Sequence, residues 1–175
     1  MTWNNFSRNS TIKTKNVFIL LWYCRMQEWK LPPKIKIIEA LAAVADGRVI
    51  NDALLPNEWK CFSVSTPWKT YTILYDEKNN TISSNDSGSV NQSFLWYPAI
   101  AFLLKIWKLK YDENVLPMLE NIDWLKLKVQ VNKDYESLFR LLLWNLHMKW
   151  YNVDYLIVQV DKIYEQLRDL HLQMK

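Results

Sequence analysis

The residues of this chain whose types and spacing suggest chemistry are cationic and aromatic. Lys105, Lys108 and Lys110 flank Trp107, and Lys126 and Lys128 follow on the next element. Ammonium groups interleaved with an indole suit phosphate contacts and base stacking, so this set points to DNA or RNA. Trp124, Trp144 and Trp150 form a second group. Ten tryptophans exceed what a small core easily hides, and exposed indoles favour a protein partner or a second copy of the chain. Acid–base chemistry has candidate carboxylates in Glu39, Asp46, Asp76, Asp86 and Asp112. Of these, Asp46 and Asp86 lie beside Gly or Ser in turn-like contexts, where capping accounts for an aspartate without catalysis. His147 falls near the apolar stripe of a helix and reads as a partly buried histidine rather than a general base.

Other chemistries are excluded by what is missing. A structural zinc site needs four Cys or His ligands at short paired spacings. Here Cys24, Cys61, His147 and His171 are the whole supply, and no two are close in sequence. With only Gly47 and Gly88, the chain has no phosphate loop and no dinucleotide fingerprint, both of which need several glycines. No nucleophile elbow, helical His pair or calcium loop occurs. No metal and no cofactor is therefore expected, and catalysis ranks behind nucleic-acid and protein binding.

Half the residues are apolar and 14% are aromatic, which places the chain among globular proteins. The net charge of +4 is unevenly spread: residues 1–36 carry seven basic side chains against Glu28 alone. The apolar run Val17–Cys24 is too short to span a membrane. Two basic residues precede it, as in a secretory signal, yet no small-residue cleavage site follows. Alternatively, residues 1–25 are an upstream extension with Met26 as the natural start, in which case the protein without them folds and stays soluble. With two cysteines and no convincing export signal, a cytoplasmic protein is the default.

Residues 26–175 read as a single domain. "LPPKIKIIEALAAVADGRV" is a helix with Ile35, Ile38, Leu41, Ala42 and Ala45 on one face, ended by Gly47. "GRVI" and "KCFSVS" are strand candidates. "KTYTILYDEKNNTISS" has the alternation and polar turn of a β-hairpin. A polar loop then leads to Pro98, which opens a buried helix over 98–110. Asp112 and Asp123 are placed to cap short helices, although 124–131 alternates and suits a strand equally well. Two longer helices complete the chain, one from Asp134 and one from Asn152 or Asp154 to about Gln173. The fold class is α+β, with an N-terminal helix, a small antiparallel sheet whose hairpin covers about 60–84, and a helical C-terminal half.

A hairpin, a polar loop and a buried helix is also the layout of the SWIM zinc finger, which residues 70–105 resemble. Laid on that family, Ile82 and Ser84 fall at the first ligand pair and Trp96 and Pro98 at the second. None of the four ligates zinc, so the family's metal role does not carry over. The resemblance implies instead that Ile82 and Trp96 bury apolar surface where the ion would sit. Separately, the helix "PPKIKIIEALAAVADGRV" resembles segments of uncharacterised archaeal proteins. The expectation is a small, zinc-free interaction module without catalytic residues. Its first partner class is nucleic acid, through Lys105, Trp107, Lys108, Lys110, Lys126 and Lys128. Its second is protein, through Trp124, Trp144 and Trp150.

Overall fold

The computed structural model describes residues 28–51, 55, 57–132 and 134–174. The leader at 1–25, and Cys24 with it, lies outside the described residues.

Pro33 and Lys34 start the first helix, α1 (Ile35–Ala45): the Lys36 N–H donates to the Pro33 carbonyl and the Ile37 N–H to that of Lys34. At its end Gly47 takes φ +65°, the left-handed conformation that a residue without Cβ adopts at no steric cost. Strands β1 (Val49–Asn51), β2 (Glu58–Phe62), β3 (Thr70–Asp76) and β4 (Thr81–Ser84) follow as antiparallel neighbours in chain order. The predicted hairpin is β3–β4, with Tyr75 opposite Ile82 and Ile73 opposite Ser84.

The polar stretch after β4 departs from the expected surface loop. It forms a short helix, α2 (Ser87–Gln92), capped by Asp86, whose carboxylate accepts from the Ser89 N–H at 2.9 Å and from the Ser89 hydroxyl at 2.7 Å. Asp86, Gly88 and Ser89 are all buried. Helix α3 follows (Tyr97–Lys105), with Pro98 in its first turn. It stops five residues short of the expected 110, because residues 106–110 turn back on its end: the N–H groups of Lys108 and Leu109 both donate to the Leu103 carbonyl. Phe102 on α3 packs between Trp59 and Tyr75 of the sheet, with ring centroids 5.2 and 5.4 Å away.

The C-terminal half is helical, and its starts follow the capping residues. Asp112 caps a 3-10 helix (Glu113–Met118), Asp123 caps α4 (Trp124–Gln130), Asp134 caps α5 (Tyr135–Met148) and Asn152 caps α6 (Val153–Asp169). Each side chain accepts a first-turn backbone N–H that would otherwise lack a partner. Of the two readings open for 124–131, the structure takes the helix, over Trp124–Gln130, with Val131 at its end. The last helix ends at Asp169 rather than near Gln173, and Gln173–Met174 forms strand β5, which pairs parallel with β4. The sheet is therefore mixed, not purely antiparallel. The fold is α+β with a helical C-terminal half.

Helix α1 sits at the centre. Its apolar stripe predicts one buried face, but every residue from Ile35 to Ala43 is buried, Lys36 and Glu39 included. Helix α3, the 3-10 helix, α5 and α6 surround it, leaving no solvent side for the two charged residues.

Candidate functional site

The two charges buried in α1 are three residues apart, which places them on one face of the helix. Lys36 Nζ donates to both carboxylate oxygens of Glu39, at 3.0 and 2.9 Å. Helical spacing on α4 supplies a third charge. Trp124, Leu127 and Lys128 share its inner face, while Lys126 points outward, so Lys128 Nζ reaches the same carboxylate at 3.0 Å and the Ser65 hydroxyl at 3.1 Å. One carboxylate, wholly removed from solvent, thus meets two ammonium groups.

The other side of Lys36 is aromatic. Its Nζ lies 4.6 Å from the ring centroid of Trp96 and 4.7 Å from that of Tyr135, and these rings meet edge to face at 5.8 Å. Trp96 is held from behind by Gly88, where an added Cβ would stand 2.3 Å from the indole. The polar stretch before Trp96 therefore supplies a helix turn narrow enough for the indole to lie against its backbone. A cavity of about 490 Å³ opens from this cluster. Tyr71, Trp96, Tyr97 and Tyr135 line it with Lys36 and Lys128, and Ser65 and Thr66 lie on its polar side.

Burial pushes the Lys36 amine below its ordinary pKa, and the neighbouring Lys128 charge adds to this. Glu39 and the buried Asp86 oppose the shift without cancelling it. The Tyr97 hydroxyl is pushed well above the usual phenol range, chiefly by burial, and accepts from the Val64 N–H at 3.4 Å. Cys61, also buried, has its thiol pushed up to about 12 by desolvation and is a core group rather than a nucleophile.

The residues singled out from sequence do not form one surface. Lys105, Trp107, Lys108 and Lys110 are all exposed at the corner that ends α3, where Trp107 stacks on Tyr111 with centroids 5.3 Å apart and Lys110 Nζ lies 6.0 Å from the Trp107 ring. Lys126 is exposed on α4, and Lys128 belongs to the buried cluster. Lys110 also borders a wide groove of about 1110 Å³, lined by Lys162 and by Asp112, Glu113, Asp161 and Glu165. Four carboxylates against two lysines make that groove a poor attractor of phosphate.

The tryptophans separate in the same way. Trp124 is fully buried, which corrects its assignment to a partner surface: as the first residue of a helix with an apolar inner face, it packs into the core. Trp144 and Trp150 are exposed, at 62% and 94%. Trp107 and Trp150, with the exposed Trp68, each hold a positive φ, which is strained for a residue with a bulky Cβ substituent.

The remaining candidates have structural duties. Asp46 pairs with Arg48 at 2.9 Å and accepts from the Asn121 N–H, Asp86 caps α2, and Asp112 caps the 3-10 helix while accepting from the Tyr155 hydroxyl. Asp76 accepts from Asn79 in the hairpin turn. His147 is exposed rather than partly buried, since it lies off the Leu138–Leu142–Leu146 stripe. Ile82, Ser84, Trp96 and Pro98 are all buried. Among the described residues no three His, Cys, Asp or Glu side chains gather as a metal site. No helix among them is long and apolar enough to cross a membrane.

A family model described as "Uncharacterised conserved protein UCP014422" matches residues 29–173, a span that contains the whole Lys36–Glu39–Lys128 cluster and its aromatic wall. No curated protein and no solved structure matches the chain.

Proposed function

The chain belongs to that family, and from this premise we propose that it is a binding protein whose cavity beside Lys36, Glu39 and Lys128 takes a small organic anion with an apolar, planar body. The observation that carries the reading is the surplus of cation in an aromatic enclosure: two buried-side lysines share one carboxylate. A lysine ammonium has three donors, and Lys128 directs one to Glu39 and one to Ser65. The third is available to a ligand oxygen, and the Tyr and Trp faces suit a flat apolar body. A cationic ligand fits poorly, because the space between Trp96 and Tyr135 already holds the protein's own ammonium.

Calorimetric titration with phenylacetate tests the reading. Wild type should bind, and Lys128→Met should bind roughly tenfold or more weakly, a loss of about 1.4 kcal/mol. That variant leaves Glu39 paired with Lys36, so the fold survives. Equal affinity in both proteins, or no binding by wild type, would remove the proposal.

A second reading, nucleic-acid binding, is favoured by one observation: half-exposed Trp107 stacks on Tyr111 with Lys110 Nζ 6.0 Å from its ring, and Lys105 and Lys108 are exposed nearby in sequence. Such a site should lose affinity steeply for single-stranded oligonucleotides as salt rises, and should fail when Lys105 and Lys108 are changed to Glu.

A further inference from the structure

We propose that Lys36 is an imine-forming lysine and that the ligand of its cavity is a 2-oxo acid with an apolar body. This deepens the anion-binding reading and rests on it. Three observations converge. First, Lys36 is not needed to neutralise Glu39, because Lys128 Nζ lies 3.0 Å from the same oxygen, Oε1, that Lys36 Nζ contacts at 3.0 Å. Second, Lys36 is one of the residues that line an open cavity, although only 3% of it is exposed. Third, its neighbours are those an amine nucleophile requires: aromatic faces that exclude water, a second cation that disfavours the ammonium form, and a carboxylate at 2.9 Å that can take its proton.

The step balances without an oxidant or reductant. The Lys36 ammonium passes a proton to Glu39, and the free amine attacks the 2-carbonyl carbon. A C–N bond forms as the C=O π bond breaks, and the proton that the attacking nitrogen sheds passes to the carbonyl oxygen, giving a neutral carbinolamine while Glu39 keeps its own proton. Glu39 then returns a proton to the hydroxyl, which leaves as water when the C–O bond breaks, and a protonated imine remains. Meanwhile the ligand carboxylate lies on the third N–H of Lys128, and its apolar body lies against Tyr71 and Tyr97.

The test is reductive trapping of the full chain with phenylpyruvate and cyanoborohydride, read by peptide mass mapping. Lys36 should be labelled at least ~10-fold faster than Lys105 or Lys108, a preference of about 1.4 kcal/mol. Phenylacetate should compete with that labelling, and Lys36→Arg should abolish the adduct on this peptide. If Lys36→Arg does not fold, competition on the wild-type protein decides the matter alone. Phenylacetate binding without preferential labelling of Lys36 would overturn the imine inference and leave the anion-binding reading standing. Failure of both binding and labelling would overturn both.

Discussion

Two regions of this protein are built from the same residue types and behave differently. At the corner that ends α3, Lys105, Lys108 and Lys110 flank Trp107 in sequence and stand in solvent, and the partner found for Lys108 is Glu77 at 3.7 Å. At the heart of the fold, Lys36 meets Trp96, Tyr135 and Glu39 out of solvent, and the partly buried Lys128 reaches the same carboxylate. Water screens the first set, so each charge there is nearly independent of its neighbours. The second set has no such screening. Each charge there depends on the others, and the amine's protonation becomes part of the structure. The same residue types therefore say little about chemistry until burial is known.

The largest effect expected from this contrast comes from Glu39→Gln. It removes the counter-charge of two ammonium groups, and breaking a buried pair from one side typically costs about 3–5 kcal/mol. Lys128 can swing towards solvent, but Lys36 cannot. Shedding the Lys36 proton sets a ceiling of about 5 kcal/mol at pH 7, at 1.36 kcal/mol per pKa unit. Chemical denaturation should show a loss in this range, whereas Glu77→Gln at the exposed pair should change stability by less than about 0.5 kcal/mol. Equal small effects in the two variants would erase the distinction between the regions.

A middle-sized effect sharpens the comparison through the chain's two glycines. Gly88→Ala would place a Cβ 2.3 Å from the Trp96 ring, so the indole or α2 must move. Overpacking of this kind costs about 1–3 kcal/mol, and here it should also disturb the wall of the cavity. At Gly47 an added Cβ meets nothing within 4 Å, and only the left-handed backbone, at φ +65°, resists it. Gly47→Ala should therefore lower stability, by about 1 kcal/mol, without touching phenylacetate binding. Gly88→Ala should lower both. Thermal denaturation and titration of the two variants separate backbone strain from cavity damage.

Local signals made much of the fold legible. The Thr70–Ser84 hairpin, the Gly47 stop and the helix starts at Asp112, Asp123, Asp134 and Asn152 each rest on residues within a few positions of the feature they specify. The candidate site rests on contacts between distant segments, and its signals were ambiguous. Lys36 and Glu39 look like a solvated helical pair, because periodicity shows that one face of α1 is apolar and not that both faces are covered. The only cue was two isolated charges in an otherwise apolar helix. Lys126 and Lys128 are close in sequence, and "WLKLKVQV" suits a strand, which would put both on one face. Helical geometry sends the two lysines apart, and the same geometry buries Trp124. The role of Gly88 depends on Trp96, eight residues later, pressing against it. No local rule links them.

The smallest effect at neutral pH, and the most discriminating in its shape, belongs to Lys36→Met. The substitution leaves Glu39 and Lys128 as a one-to-one pair and puts a flexible apolar chain between Trp96 and Tyr135. Replacing a buried charge that has no unique partner is often neutral or stabilising, so the change near pH 7 should lie within about 1 kcal/mol. The pH dependence carries the sign. Burial lowers the Lys36 pKa in the folded protein, so between that lowered value and the ordinary 10.5 the unfolded chain holds more protons. The contribution of Lys36 is therefore fully present above 10.5 and is lost as the pH falls through the folded value. Wild type should gain stability on Lys36→Met as the pH rises through this window. Tyr97 and Cys61, whose raised pKa values act in the opposite direction, are common to both proteins and cancel in the difference. The charged or titrating groups bearing on Lys36 itself are Glu39, Lys128, Asp86 and Tyr135. Parallel stability curves for the two proteins from pH 7 to 11 would mean that the Lys36 amine is as well solvated as those at the α3 corner, and the contrast between the two regions would collapse.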